Sequence, residues 1–401
     1  MLNRAQHGFT LIELLVGTAI ATVLTAAAFT FAAHETRLMG VSRERVELSQ
    51  AGRAALDLIV EDVSQAGAGI GYGVANGNHT ELNAASPCPG GATCFRGLVR
   101  GPFTIRNVGF NTGGATFTMP TGAGPAVMAG TQQTFAGVGH GGLILPNYNI
   151  TTQAVGIRMA NGSFASIVSF EGGAEYCLDN PAIGVQTSFQ DGELVVLRHQ
   201  DGIQARSAIF RAQAGPCVNS PAACANGCQQ FVDDLDPDLT FTAYDQAYGS
   251  SYRGGEIQGG LKTVVWFIAP NAQTRSGTLS RAVFDSSNCT GAAPNINTCA
   301  GIVAEYTEFL GMRVWAWNTA AVPPAWQFVG DGPIPGQQRL RVDVELVIRS
   351  RVPDVKPRAG SVLQLTNECV PMPCGTNDHG DRRVYRTSVE ITNSGRMALP
   401  R

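Results

Sequence analysis

Charge is scarce in this chain. Only 15% of its 401 residues are Asp, Glu, Lys or Arg, and the formal net charge is −3. The 28 Lys and Arg residues form no cluster, which excludes nucleic acid as an expected partner. Catalytic signatures are missing too. The six histidines (His7, His34, His79, His140, His199 and His379) are scattered, and none belongs to an HExxH helix. No GxSxG nucleophile elbow occurs, and no phosphate-cradling loop ends in Gly-Lys-Ser/Thr. Ser, His and Asp are present, but no spacing gathers them. The expectation is a protein without enzymatic activity and without a cofactor. No internal repeat is visible.

Charge is scarcest near the start. Across residues 9–33, a run of 25, the only charged side chain is Glu13. Such a run spans ~30 Å of hydrocarbon at ~1.5 Å per residue. Residues 1–8 carry Arg4 and His7 and no acid, so the positive-inside rule keeps this leader cytoplasmic and the C-terminal bulk outside. An ordinary secretory signal is the plainer alternative, and Ala26-Ala27-Ala28 imitates its cleavage site. Its apolar region, however, is about 7–15 residues long and lacks a carboxylate. A simple membrane anchor leaves Glu13 unexplained, because a carboxylate in the bilayer costs about 2.5–3.5 kcal/mol and needs a partner. Glu13 also sits where a helix macrodipole favours negative charge. Gly17, Ala21 and Thr25 recur every four residues, a stripe that lets helices pack closely.

The string Gly8-Phe9-Thr10-Leu11-Ile12-Glu13-Leu14-Leu15-Val16 resembles the processing signal of the type IV prepilins, which include major pilins, minor pilins and type II secretion pseudopilins. The resemblance covers residues 1–33. It implies cleavage between Gly8 and Phe9 by a prepilin peptidase and N-methylation of Phe9, which keeps the amine positive. It also implies a salt bridge between Glu13 and a Phe9 amine, on the same chain or a neighbouring helix. Many major pilins carry a helix-kinking proline at the position of Thr30. This chain does not, so unwinding there on assembly is not carried over.

The helix continues past the apolar run. Leu48, Ala55, Leu56, Ile59 and Val63 fall on one side, and Arg43, Glu47, Arg53, Asp57 and Glu61 fall largely on the other. Gln65-Ala66-Gly67-Ala68-Gly69 ends it. A helix over residues 9–66 is about 87 Å long. The chain therefore divides into a leader (1–8), a transmembrane half-helix (9–33), an amphipathic half-helix (34–66) and a head (67–401). The head is long enough for a sizeable core.

The head contains all ten cysteines: Cys88, Cys94, Cys177, Cys217, Cys224, Cys228, Cys289, Cys299, Cys369 and Cys374. An even number on an exported domain reads as a disulfide framework in an oxidising compartment. Cys88/Cys94, Cys289/Cys299 and Cys369/Cys374 are close in sequence; Cys177, Cys217, Cys224 and Cys228 pair in any of three ways. A zinc site is the rival reading, but the CxxxC of Cys224 and Cys228 has no histidine nearby. Asp233, Asp234, Asp236 and Asp238 form a weak calcium candidate without EF-hand spacing, and a solvated turn explains them better.

The strongest strand is Leu340–Arg349, where Leu340, Val342, Val344, Leu346 and Ile348 alternate with charged residues at 341, 343, 345 and 349. Residues 261–269 read as a central strand, and 193–198, 239–244, 312–317 and 384–391 as further strands. Trp266, Trp315, Trp317 and Trp326 are expected mainly in the core. Residues 67–170 are glycine-rich and weakly periodic, so an inserted lobe or long loops are expected there. The fold class is α+β: a long N-terminal helix on a large antiparallel sheet head.

A second set of motifs joins the first: a helix ending at Ala66-Gly67, a charged strand through Ser350, and Arg382-Arg383-Val384-Tyr385-Arg386 leading to Asn393. This frame resembles the PilW family of minor pilins. The resemblance implies a subunit that primes pilus assembly and sits in the pilus, at its tip. Its implied partners are other minor pilins, the major pilin, the prepilin peptidase, the inner-membrane assembly platform and a tip adhesin. The implied location is the inner membrane before assembly and the cell-surface pilus afterwards. The alternatives are a J-type pseudopilin of type II secretion and a pilus-displayed adhesive module.

Overall fold

The structure is a computed structural model. It describes residues 10–69, 103–109, 116–121, 124–129, 151–160, 162, 164–172, 175–179, 189–201, 204–213, 228–232, 255–271, 276–285, 300–328, 339–350, 358–359, 361–362, 369–370, 377–378 and 382–391. A single helix, α1 (Leu11–Ser64), is followed by strands only, the α+β arrangement that the sequence implies. In chain order the strands are β1 (Phe103–Gly109), β2 (Thr116–Thr121), β3 (Gly124–Ala129), β4 (Thr151–Ala160), β5 (Phe164–Gly172), β6 (Glu175–Asp179) and β7 (Leu194–Asp201). Then come β8 (Gln204–Gln213), β9 (Cys228–Val232), β10 (Glu256–Gln258), β11 (Leu261–Asn271), β12 (Ser276–Phe284), β13 (Ala300–Ala304) and β14 (Thr307–Asn318). The last are β15 (Ala325–Phe328), β16 (Leu340–Arg349), β17 (Arg358–Ala359), β18 (Ser361–Val362), β19 (Cys369–Val370), β20 (Asn377–Asp378) and β21 (Arg382–Ile391).

Two antiparallel sheets and a barrel carry the head. The first sheet runs β1-β4-β11-β12-β13 and the second β15-β14-β16-β21. The closed barrel runs β10-β5-β6-β9-β8-β7. Its strands β5–β10 all fall between β4 and β11, which are themselves paired in the first sheet. Of the stretch 67–170, the described parts are the end of the helix cap and strands β1–β5, of which β1 and β4 join the first sheet. The expected strand at 239–244 lies outside the described residues.

The two sheets pack on each other through β14 against β4, β11 and β12, and α1 lies against β21, β16 and β13. Alternation along β16 decides which face meets this core. Leu340, Val342, Val344, Leu346 and Ile348 are buried with Ala55, Ile59 and Val63 of α1 and with Val155, Ile157, Val264 and Trp266 of the first sheet. Each buried Leu, Ile or Val side chain contributes about 1.5–3 kcal/mol relative to exposure.

Polar contacts pin the helix along this apolar seam. Ser350 Oγ donates to Glu44 at 2.8 Å, and Tyr385 Oη donates to the Leu48 carbonyl at 3.0 Å. Gly52 is what admits the Tyr385 ring, since a Cβ there would overlap the ring's Cζ and Cε2. Near the end of the helix, Asp62 is only 5% exposed. Its carboxylate accepts from Trp266 Nε1, Arg281 Nε and an Arg281 terminal nitrogen, each at 2.8 Å. A buried carboxylate is tolerable when donors and a countercharge surround it in this way. The Asp62 hydrogen bond raises the Arg281 pKa above its ordinary value, outweighing the opposing effect of partial burial.

The tryptophans divide, contrary to the core expectation. Trp266 is fully buried, whereas Trp315, Trp317 and Trp326 share the other face of the second sheet with Arg341. The Arg341 guanidinium lies 5.3 Å from the ring centres of both Trp315 and Trp326. Trp315 and Trp317 stand two and four residues after Arg313, so strand alternation places them on the charged face.

Asp62→Ala should lower the unfolding free energy of the full chain in detergent by about 3 kcal/mol, because it leaves Arg281 and the Trp266 N–H without their acceptor. Asp62→Leu combined with Arg281→Met should recover much of that loss. Denaturant titration checks both. Burial raises the Tyr385 pKa, so stability falls as pH rises above about 10, where the unfolded tyrosine ionises first. Tyr385→Phe should cost about 1 kcal/mol at neutral pH and flatten that alkaline slope.

Candidate assembly site

The first half of α1 has no protein around it. Leu11 is 82% exposed, Phe29 73% and Phe31 67%. An 18-residue window of the helix averages a hydropathy of 2.0 and is wholly unburied within the chain. Among the described residues this is the one helix long and apolar enough to cross a membrane. At 54 residues it is ~81 Å long, so the span and the head-binding half fit end to end.

Four threonines past the cap interrupt the apolar surface, and each hydroxyl is satisfied within the helix. Thr18, Thr22, Thr25 and Thr30 donate to carbonyls three or four residues back at 2.7–2.9 Å. This suits an environment that offers no water. The small-residue stripe lies on this exposed stretch. A Cβ at Gly17 would meet nothing within 4 Å, and Ala21 and Thr25 are likewise exposed.

Glu13 occupies the third position of the helix and closes a capping box with Thr10. The Glu13 N–H donates to Thr10 Oγ1 at 3.3 Å. In return Glu13 Oε2 accepts from the Thr10 backbone N–H at 3.0 Å and from its hydroxyl at 2.9 Å. The extended Thr10 backbone (φ −78°, ψ 151°) breaks the helix there. Thr10 is the residue that the sequence reading missed as a participant. Its signal was legible, since Thr10-Leu11-Ile12-Glu13 has the capping-box spacing. Gly8 and Phe9 lie outside the described residues, so the site consists of the capped carboxylate and the bare helix behind it.

The remaining candidates are spread through the head. Cys177 in β6 is 3% exposed and disulfide-bonded. Cys228 and Cys369 lie in β9 and β19. Cys88, Cys94, Cys217, Cys224, Cys289, Cys299 and Cys374 lie outside the described residues, as do Asp233, Asp234, Asp236 and Asp238. Among the described residues no group of His, Cys, Asp or Glu is arranged to hold a metal ion.

Residues 3–29 match the family model described as the prokaryotic N-terminal methylation motif. The motif and the apolar helix are consistent with a type IV prepilin-like chain, a class that takes in both pilins and pseudopilins, and they fit a single pass through the inner membrane. No curated protein and no solved structure matches the chain.

Thr10→Val should remove the cap and destabilise the first helical turn by about 1 kcal/mol. Hydrogen exchange of the detergent-solubilised chain reads this as faster exchange at residues 11–14. Exchange near residue 59, under the head, should stay unchanged.

Proposed function

We propose that this chain is a minor pilin that primes assembly of a type IV pilus and is incorporated into it, at or near the tip. The methylation motif, placed on a helix whose apolar half is bare and whose other half bears the head, carries this reading. Prepilin peptidase cuts between Gly8 and Phe9, and Phe9 is methylated. On docking, Glu13 exchanges its Thr10 contacts for the charged amine of a Phe9, a stronger partner in a medium of low dielectric. The stripe of Gly17, Ala21 and Thr25 then allows close helix packing in the filament.

Two observations favour a PilW-like subunit. Helix α1 ends just before Ala66-Gly67. The charged strand β16 pairs along its whole length with the Arg-rich strand β21, placing Arg386 opposite Glu345 and Arg341 opposite Glu390. The partners on this reading are other minor pilins, the major pilin, the peptidase, the membrane assembly platform and a tip adhesin. A head of this size suits an end subunit better than a repeating one.

A J-type pseudopilin of type II secretion is the second reading, since the methylation motif serves that class equally. Deleting the chromosomal copy separates the two. Loss of surface pili by electron microscopy with protein secretion intact supports the minor pilin, and the converse supports the pseudopilin. Complementation with Glu13→Ala should restore a cleaved, membrane-inserted protein but few pili; normal piliation would overturn the proposed salt bridge.

A further inference from the structure

We propose that Cys177 is disulfide-bonded to Cys228, and that this bond closes the barrel. Cys177 has a disulfide partner, and no free cysteine occurs among the described residues. Strands β6 and β9 are antiparallel, and their register places Cys177 directly opposite Cys228. Directly opposed residues of an antiparallel pair have Cα atoms about 4.5–5.5 Å apart. That lies inside the ~4.4–6.8 Å that a disulfide spans. The register therefore selects one of the three pairings open to Cys177, Cys217, Cys224 and Cys228.

The position of this bond in the barrel gives it a consequence. The barrel joins two antiparallel units, the hairpin β5–β6 and the three-stranded β7–β8–β9. These units meet at two seams. At one, the short β10 lies between β5 and β7 and leads into β11 of the first sheet, so the head's core anchors it. At the other, β6 and β9 share only the positions 175–177 and 228–230. A covalent link at the end of that three-residue ladder reinforces the seam that has no strand leading into the first sheet. Barrel closure is thus coupled to oxidation. Two thiols give up two protons and two electrons to the disulfide of an exported thiol oxidase, which leaves as a dithiol. This requires only that the head leaves the cytoplasm, so it stands for a pilin and a pseudopilin alike.

The test is thiol mapping of the full chain, purified from membranes without reductant. Cys177→Ser should expose one new maleimide-reactive thiol after denaturation, at Cys228, and Cys228→Ser should expose one at Cys177. The double variant should expose none, and its β6–β9 region should be cut by protease faster than in the wild type. A thiol appearing at Cys217 or Cys224 in Cys177→Ser would overturn the pairing. Because a variant can reshuffle its disulfides, the wild-type chain supplies an independent reading. Fragmentation of its disulfide-linked peptides by mass spectrometry should locate the Cys177 bond at Cys228; a bond to any other cysteine sinks the proposal. Unchanged protease resistance in the double variant would remove the closing role.

Discussion

The apolar surface of α1 before the head begins cannot stay in water, and the rest of the molecule is arranged around that constraint. Side chains such as Leu11, Ile12, Leu14, Phe29 and Phe31 find no cover within the chain. At about 25 cal/mol per Å² of apolar surface, a stretch of this kind must be covered by lipid or by other helices. The four self-satisfied threonine hydroxyls fit the same requirement, because neither environment supplies water to them. Glu13 is the one charge in the stretch, and its capping box supplies its contacts within the chain.

The second half of the helix answers a different demand. An 81-Å rod carries its head usefully only if the two do not slide or rotate on each other. Apolar packing of Leu48, Ala55, Ile59 and Val63 is strong but has little direction. Direction comes from the polar pins. Asp62 reaches the first sheet through Trp266 and Arg281, while Leu48 and Glu44 are held by the second sheet and the residue after β16. The pins lie on opposite sides of Gly52, where the helix gives up a side chain to let Tyr385 approach. A glycine inside a helix costs about 1 kcal/mol relative to alanine, and here the Tyr385 contact offsets it.

Some of this was legible in the residues. The helix and the place where it ends could be read from the charge gap, the amphipathic pattern and the glycines after Ala66. Strand β16 could be read from the alternation over its first seven residues, and β11 from its nearly continuous apolar run, since it lies between β4 and β12 in the first sheet. The polar pins were not legible. Asp62 looks like one more acid beside Glu61, and only the helical turn reveals that it faces Trp266, some 200 positions later. Trp315 and Trp317 were misjudged because their aromatic character outweighed their parity with Arg313. The barrel was hidden for a related reason: of its strands only β7 was foreshadowed, at 193–198, and closure depends on register between distant segments rather than on local sequence.

The way the barrel is inserted explains how so long a segment leaves the packing of the two sheets intact. The chain leaves the first sheet at the end of β4 and returns at the start of β11, and these two strands are neighbours, with Ala160 opposite Leu261. Departure and return are therefore already adjacent, and the core sees the insertion as one long connection between paired strands. The entropy of closing a loop grows only slowly with its length, so the sheet loses little whether that connection is a turn or a barrel. Next to the junction, Glu193 accepts from the Gly260 N–H at 2.9 Å and from the Gln190 N–H at 2.9 Å. The Ala68 carbonyl at the end of the helix cap accepts from the Ala160 N–H at 2.7 Å. The end of the helix, the first sheet and the mouth of the insertion thus meet within a few residues. The helix that carries the methylation motif is anchored at the point where the chain leaves the first sheet for the barrel.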